Sequence, residues 1–129
     1  NKREVMMVRQ YRKAVEKELL EIPAGKLEKG ESRERCARRE LMEETGFYPR
    51  DLKYLNSFYT SPGFTDEVMH LFLAKKLEKR PMEADEDEFI TLEKVPLDET
   101  LKKVTNGEIM DGKTIAGILL AYPHMKGDN

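Results

Sequence analysis

Residues 25–47 read GKLEKGESRERCARRELMEETGF, and this is the most informative stretch of the sequence. Its second half has the composition of a helix, with Ser32 as the capping residue and Gly46 just past the end. Acidic side chains recur in that helix at positions i, i+3 and i+4, which places three carboxylates on one face. They are Glu40, Glu43 and Glu44.

Like charges at this spacing weaken a helix unless something offsets their repulsion. A divalent cation does so directly, and carboxylate oxygens are ligands that suit Mg²⁺, with Mn²⁺ as a substitute. Arg39 stands four residues before Glu43, so it can pair with that acid or with Glu31 and steady the acidic face. The alternative is an ordinary solvated helix, because helices rich in Arg and Glu are common.

The wider pattern resembles the motif of a known family. Gly25 is followed after five residues by Glu31 and, after seven more, by the run RELMEETGF at residues 39–47. This arrangement matches the Nudix box, so the chain resembles the Nudix hydrolases, which cleave a nucleoside diphosphate linked to another group. The resemblance implies an α/β Nudix fold, in which a mixed β-sheet is sandwiched between α-helices. It also implies a single Nudix hydrolase domain over residues 1–129.

The same resemblance implies roles for the residues of the box. Glu40 and Glu44 are the expected main metal ligands, and Glu43 is expected to bind a further metal or to orient water. The carbonyl of Ala24 is another expected ligand, and Arg39 is expected to position the acids. A metal held there neutralises the pyrophosphate and lowers the pKa of a bound water, which then attacks phosphorus.

An acidic run at residues 83–88 contains the remaining catalytic candidate. In relatives a loop glutamate in this region acts as general base or contacts a metal through water, and Glu86 is the first choice for it, with Glu88 second. A carboxylate near several metals stays ionised and can accept the proton of the attacking water. The alternative is a solvated loop, which is the usual state of such a run.

A Ser-Pro-Gly segment indicates the substrate. Pro62 lies sixteen residues after Gly46, and a proline at this distance distinguishes the ADP-ribose pyrophosphatases within the family. The runs VRQYR at residues 8–12 and LLEIPAG at residues 19–25 also resemble that subgroup. The resemblance therefore implies hydrolysis of ADP-ribose to AMP and ribose 5-phosphate. The residues it implies as substrate contacts are Arg12, Glu21, Pro62, Gly63, Phe64 and Glu67.

The chemistry of these side chains suits such a substrate. Arg12 offers a planar fork for phosphate oxygens or for stacking on adenine. Glu67 can accept hydrogen bonds from ribose hydroxyls, and the loop at residues 62–64 would shape the site of the terminal ribose. Without the box, this loop reads equally as a plain turn between strands, and Arg9 reads equally as surface charge.

Composition excludes several other classes of protein. The chain has 129 residues, a length that fits one domain. Its net charge of −2 argues against a general nucleic-acid-binding surface. It contains no apolar run near the roughly 20 residues that span a bilayer. Its single cysteine, Cys36, suits a reducing compartment, so a cytoplasmic location is expected. Because it falls in the box helix, Cys36 is expected to be a packed residue rather than a nucleophile.

Periodicity predicts a mixture of strands and helices outside the box. The predicted strands cover residues 5–8, 18–22, 52–60, 68–73 and 89–95. The predicted helices cover residues 97–104 and 111–122, and the second ends before Pro123. Strands mixed with helices, without an internal repeat, favour helices packed on the faces of a sheet.

The sequence also departs from the subgroup and leaves alternatives open. Relatives carry a further N-terminal β-region that builds a dimer and helps hold adenine, and this region is absent or trimmed here, so a homodimer is expected only if the full region exists. One alternative function is hydrolysis of another nucleoside diphosphate derivative, such as a nucleotide sugar or a dinucleotide. Another is a non-catalytic nucleotide-binding module, although such modules usually lose one or more acids of the box.

Overall fold

The computed structural model describes residues 3–80 and 90–126. Strands and helices alternate along this part of the chain. In chain order they are β1 (Glu4–Arg12), β2 (Lys17–Glu21), α1 (Arg33–Thr45), β3 (Phe47–Tyr59), β4 (Val68–Lys79), β5 (Ile90–Pro96), α2 (Leu97–Thr105) and α3 (Gly112–Lys126).

The described strands form two sheets, one with the order β2-β1-β5 and one with the order β3-β4. Each pairing among them is antiparallel. The strand β1 lies in the middle of the three-stranded sheet, and its apolar side chains Met7 and Val8 are fully buried. The helix α1 packs against β1, β3 and β5, whereas α3 packs against β3 and β4. The α/β class is therefore confirmed, with helices on both sheets.

One apolar cluster joins the first sheet to the start of α3. It is formed by Met7, Leu20, Val95, Ile109 and Ile118. Each such side chain contributes about 1.5–3 kcal/mol when it is removed from water. Because the cluster includes β2 and α3, it places the end of β2 directly beside the first turn of α3.

The β3–β4 hairpin is longer than the sequence predicts. Its ladder runs from Phe47 opposite Lys79 to Tyr59 opposite Val68, whereas the predicted strands cover only residues 52–60 and 68–73. The added segments are rich in charged residues, which a two-stranded sheet tolerates because much of its surface faces water. The predicted start of the last strand at residue 89 lies outside the described residues, and β5 begins at Ile90.

The prediction that the last helix ends before Pro123 is wrong, because α3 continues to Lys126. A proline inside a helix removes one backbone hydrogen bond. Here the final turn has other support, since the Arg3 guanidinium donates to the carbonyls of Met125 at 3.0 Å and Lys126 at 2.7 Å. These bonds satisfy carbonyls that a helix end leaves without partners. Of the helices described, none has the length and apolar character needed to cross a membrane.

Candidate active site

The helix α1 begins and ends where the sequence predicts. The Ser32 hydroxyl accepts a hydrogen bond from the Arg35 N–H at 3.2 Å. Gly46 follows the helix in the left-handed conformation, with φ of 77°, and its N–H donates to the Met42 carbonyl at 2.8 Å. A residue with a side chain adopts this conformation only at a cost. The two caps set the ends of α1, and the face that carries Arg39 is turned toward the loop that precedes the helix.

Arg39 is the centre of the charge network on that face. Its guanidinium donates to both oxygens of Glu31, at 2.7 and 2.9 Å, and to the Lys26 carbonyl at 3.0 Å. It also donates to Glu40 at 2.7 Å and to Glu43 at 3.2 Å. The pairing of Arg39 with Glu43 and Glu31 that the sequence predicts is therefore present. One cation offsets the repulsion of several acids and ties the helix to the loop.

Glu31 has a structural place in this network. The bond from Arg39 and a second bond from the Glu28 N–H lower the pKa of the Glu31 carboxyl from 4.5 to about 2. The Glu28 N–H lies 3.0 Å from the Glu31 carboxylate. Glu31 therefore connects the loop to α1 as a carboxylate anion.

This pKa predicts how stability depends on pH. Since the folded-state pKa lies below the ordinary value, ionised Glu31 stabilises the fold above about pH 4.5, and the contribution disappears as the pH falls toward about 2. We expect Glu31→Gln to lower the free energy of unfolding at pH 7 and to flatten its decline on the acid side. Urea denaturation at several pH values between 7 and 3 measures both effects. Glu34→Gln, at an exposed acid of the same helix, is the control, and equal acid slopes for wild type and Glu31→Gln would contradict the prediction.

Two acids of α1 meet the loop segment at Ala24 and Gly25. The Glu40 carboxylate lies against Gly25 so closely that a methyl group on this glycine would overlap it. A Glu44 oxygen accepts the Ala24 N–H at 3.4 Å. The structure thus brings Glu40 and Glu44 to the same loop segment, which contains the Ala24 carbonyl that the family resemblance implies as a ligand.

Arg12 is held by a buried acid. Its guanidinium donates to the two oxygens of Glu21 at 2.7 and 2.6 Å, and Lys113 donates to Glu21 at 2.6 Å. Glu21 is 1% exposed, so its carboxylate faces protein groups. In this arrangement the carboxylate is paired with Arg12 and Lys113, and a contact between Glu21 and a substrate stays a prediction. Arg12 itself remains 42% exposed.

The loop at residues 62–64 displays an aromatic ring. Its turn is closed by the N–H groups of Phe64 and Thr65, which donate to the Ser61 carbonyl at 3.1 and 3.0 Å. The Phe64 side chain is 87% exposed. Glu67 accepts a hydrogen bond from the Thr60 hydroxyl at 2.6 Å, across the base of the loop.

A cavity of about 490 Å³ extends between α1, the β3–β4 hairpin and α3. This volume lies within the range of ligand-binding cavities. Its walls are mainly apolar, and the predicted site residues among them are Ala24, Glu40 and Glu67. Lys113 also lines it. The cavity therefore connects the acidic face of the helix with the hairpin loop.

The family model of the NUDIX domain matches residues 1–115. The chain belongs to the Nudix domain family.

Curated proteins resemble this Nudix chain over most of its length. It is 51% identical over 118 residues to a protein of Bacillus subtilis (strain 168) named ADP-ribose pyrophosphatase, a match covering 88% of this chain and 63% of that protein. A Bacillus methanolicus protein named methanol dehydrogenase activator is 49% identical over 120 residues, covering 92% and 65%. A GDP-mannose pyrophosphatase of Citrobacter koseri is 36% identical over 132 residues, covering 95% and 68%.

A crystal structure described as an ADP compounds hydrolase has the same fold. It superposes with a TM-score of 0.87 at 26% sequence identity and covers 96% of this chain and 67% of that chain. The Nudix fold that the box implies is therefore confirmed. The chain spans 63% and 65% of the length of the two Bacillus proteins.

The other residues singled out in the sequence have different outcomes. Arg9 pairs with Glu93 of β5 at 3.2 and 3.1 Å, so its charge is held across the sheet. Cys36 is 7% exposed, and burial is the main cause that raises the pKa of its thiol. Cys36 is therefore a packed residue, as predicted. The acidic run, with Glu86 and Glu88, lies outside the described residues.

Lys113, the second cation on Glu21, is not predicted by any pattern in the sequence. The two residues are 92 positions apart, and no local pattern connects them. The one signal nearby is Asp111, which stands at the predicted start of the last helix and holds Lys113 at 2.8 Å. A capping acid does not by itself indicate what the following lysine contacts.

Proposed function

We propose that this chain hydrolyses the diphosphate of ADP-ribose, giving AMP and ribose 5-phosphate. The observation that carries the proposal is the complete set of box acids, with the carboxylates of Glu40 and Glu44 at the loop segment of Ala24 and Gly25. The 51% identity to a protein named ADP-ribose pyrophosphatase supports the substrate. The similar structure is described as a hydrolase of ADP compounds, which supports the same class.

We propose Mg²⁺ as the cofactor, with Mn²⁺ as a substitute. The donor atoms at this loop segment fit a hard divalent cation, because carboxylates and a backbone carbonyl supply only oxygen ligands. The expected ligands are Ala24, Glu40, Glu43 and Glu44. Among the described side chains, no three His, Cys, Asp or Glu residues are grouped closely enough to hold a metal as they stand. Arg39 holds oxygens of Glu40 and Glu43 in this arrangement, so we expect it to release part of this contact when a metal binds.

When bound, the metal would supply charge neutralisation of the diphosphate and a water of lowered pKa. The chain's own residues then have separate tasks. Arg39 orients the acidic side chains from one side, and Arg12 presents its exposed guanidinium to a phosphate oxygen. Glu86 stays a prediction as the acceptor of the water's proton.

The hairpin side of the cavity is the proposed place of the substrate's sugar. Glu67 lines the cavity, and its carboxylate is a suitable acceptor for ribose hydroxyls. Pro62 and Gly63 shape the turn that carries Phe64, whose exposed ring offers an apolar surface to a sugar or a base. We propose that the domain acts on this small molecule in the cytoplasm, as one domain over residues 1–129. Pairing of two chains stays a prediction, which light scattering of the purified protein tests.

A nucleotide sugar is the second candidate substrate. The observation that favours it is the 36% identity to a GDP-mannose pyrophosphatase, in a match covering 95% of this chain. The chemistry at phosphorus is the same, and the two candidates differ in the base and the sugar. A non-catalytic module is less favoured because Glu40, Glu43 and Glu44 are all present.

A substrate panel tests the function. We expect the folded chain with Mg²⁺ to convert ADP-ribose to AMP and ribose 5-phosphate in equal amounts, and to do so with a higher kcat/KM than for GDP-mannose, a diadenosine polyphosphate or a nucleoside triphosphate. Chromatography of the products with time gives the ranking. Removal of metal by EDTA should abolish turnover, and added Mg²⁺ should restore it. Preference for a triphosphate, or no AMP from a folded sample, would overturn the proposal.

A further inference from the structure

Four charged groups form a compact cluster where β1, β2 and α3 meet. Two are cations, Arg12 and Lys113, and two are carboxylates, Glu21 and Asp111. Lys113 donates to Glu21 at 2.6 Å and to Asp111 at 2.8 Å, while Arg12 binds Glu21 through two hydrogen bonds. The formal charges of the cluster sum to zero, so each buried charge has partners of the opposite sign.

Lys113 is needed to balance the buried carboxylate. Burial alone raises the pKa of Glu21, but the hydrogen bonds from Arg12 and Lys113 outweigh it and hold the pKa below its ordinary value. The pKa of Asp111 is likewise lowered by Lys113 and Thr114 against the effect of burial. Breaking a buried ion pair by removing one partner leaves an uncompensated charge. Without Lys113, Glu21 would depend on Arg12 alone.

The first turn of α3 fixes Lys113 relative to the box. Asp111 accepts the Thr114 N–H at 3.2 Å and so caps the helix. The Thr114 hydroxyl donates to Asp111 and accepts the Ile22 N–H at 3.0 Å. Thr114 is fully buried. Lys113 therefore stands in a rigid turn that is bonded to the residue directly after Glu21, one residue before the Pro23-Ala24-Gly25 segment.

Arg12 is the member of this cluster that also interacts electrostatically with an acid of the box, Glu44. The hydrogen bond to Glu21 is the main cause that raises the pKa of Arg12, and the charges of Asp111 and Glu44 add to it. One edge of the Arg12 guanidinium is bound to Glu21, yet the side chain remains 42% exposed. Glu21 therefore sets the orientation in which the exposed part of Arg12 faces solvent.

We propose that Lys113 is a positioning residue of the substrate site, which holds Glu21 so that Glu21 presents Arg12 to the diphosphate beside Glu44. The inference rests on the proposed function and adds to it a residue that acts through two others. Lys113 lines the cavity, but its side chain is 14% exposed and bound to two carboxylates. These contacts direct its charge toward Glu21 and Asp111 instead of toward the substrate.

The test compares three lysine variants in the full chain. We expect Lys113→Met to raise KM for ADP-ribose about tenfold and to change kcat by less than about threefold, because a misplaced Arg12 weakens binding more than chemistry. Lys113→Arg keeps the charge and should restore most of the affinity. Lys103→Met is the matched control, since Lys103 also pairs with an acid, Glu108 at 3.0 Å, and should leave KM unchanged.

A double variant separates positioning from general stability. If Lys113 acts through Arg12, then adding Lys113→Met to an Arg12→Ala variant should raise KM no further. The proposal would be overturned if the KM increase of the double variant equalled the product of the two single increases. It would also be overturned if KM were unchanged in Lys113→Met. If Lys113→Met does not fold, Lys113→Gln, which keeps a donor for Glu21, is measured under the same criteria.

The test also distinguishes the two proposals from each other. If wild type does not hydrolyse ADP-ribose, the proposed function fails. The same variants are then compared by calorimetric titration with ADP-ribose, where an affinity loss of about tenfold in Lys113→Met but not in Lys103→Met still supports the positioning role. Equal affinities, or no binding of ADP-ribose by wild type, would overturn it.

Discussion

Replacement of Glu44 by glutamine is expected to lower kcat for ADP-ribose about a hundred- to a thousandfold, which is the range for loss of one group that stabilises developing charge. Glutamine has the same shape and keeps an oxygen for the Ala24 N–H, which lies 3.4 Å from Glu44. What it lacks is the negative charge, and a neutral amide is a much poorer ligand for Mg²⁺ than a carboxylate. We therefore expect Glu44→Gln to weaken Mg²⁺ binding and to slow the chemical step.

The stability of this variant should stay close to that of wild type. We expect a melting temperature within about 4 °C, because the substitution conserves volume and the acceptor at Ala24. Steady-state kinetics over a range of Mg²⁺ concentrations, with thermal melting in parallel, separates the two properties. Glu34→Gln removes an exposed acid from the same helix and should leave both the turnover and the melting temperature unchanged. Normal turnover by Glu44→Gln would remove Glu44 from its proposed role.

Such substitutions can be designed because the sequence predicts the box helix in detail. Ser32 and Gly46 are residue types with specific capping conformations, and both occupy the predicted caps. The contacts of Arg39 with Glu43 and Glu31 are also predictable, since the i, i+4 spacing and the short loop restrict where these side chains reach. Capping, side-chain spacing and the family resemblance together predict the α/β fold and indicate the acids of the box.

Contacts between segments that are far apart in the chain cannot be predicted from the sequence. The pairing of Lys113 with Glu21 depends on how α3 packs against β2, and that packing is set by an apolar cluster drawn from several elements. The end of α3 is a similar case. Pro123 favours termination locally, but Arg3, from the other end of the chain, binds the carbonyls of the last turn. Tertiary contacts decide both outcomes, and no sequence window contains them.

Gly25 gives the second large expected effect. A Cβ at this position would overlap the Glu40 carboxylate, so Gly25→Ala forces that carboxylate to move. The overlapping group is the end of a flexible side chain, and Gly25 does not have a positive φ. The backbone therefore accepts alanine without strain, and we expect the melting temperature to change by no more than about 4 °C.

Activity should respond very differently from stability in Gly25→Ala. A displacement of about 1 Å in a reacting group costs on the order of a hundredfold in rate, and we expect a loss of that size in kcat/KM together with a higher requirement for Mg²⁺. Gly112→Ala is the matched control, because a Cβ there meets open space. Steady-state kinetics and thermal melting of the two variants measure the activity and the stability separately. If Gly25→Ala kept the wild-type rate, the Glu40 carboxylate would not need its place against Gly25. If it melted far below wild type, the glycine would serve the fold, and the match of Gly25 to the box would reflect packing of the loop.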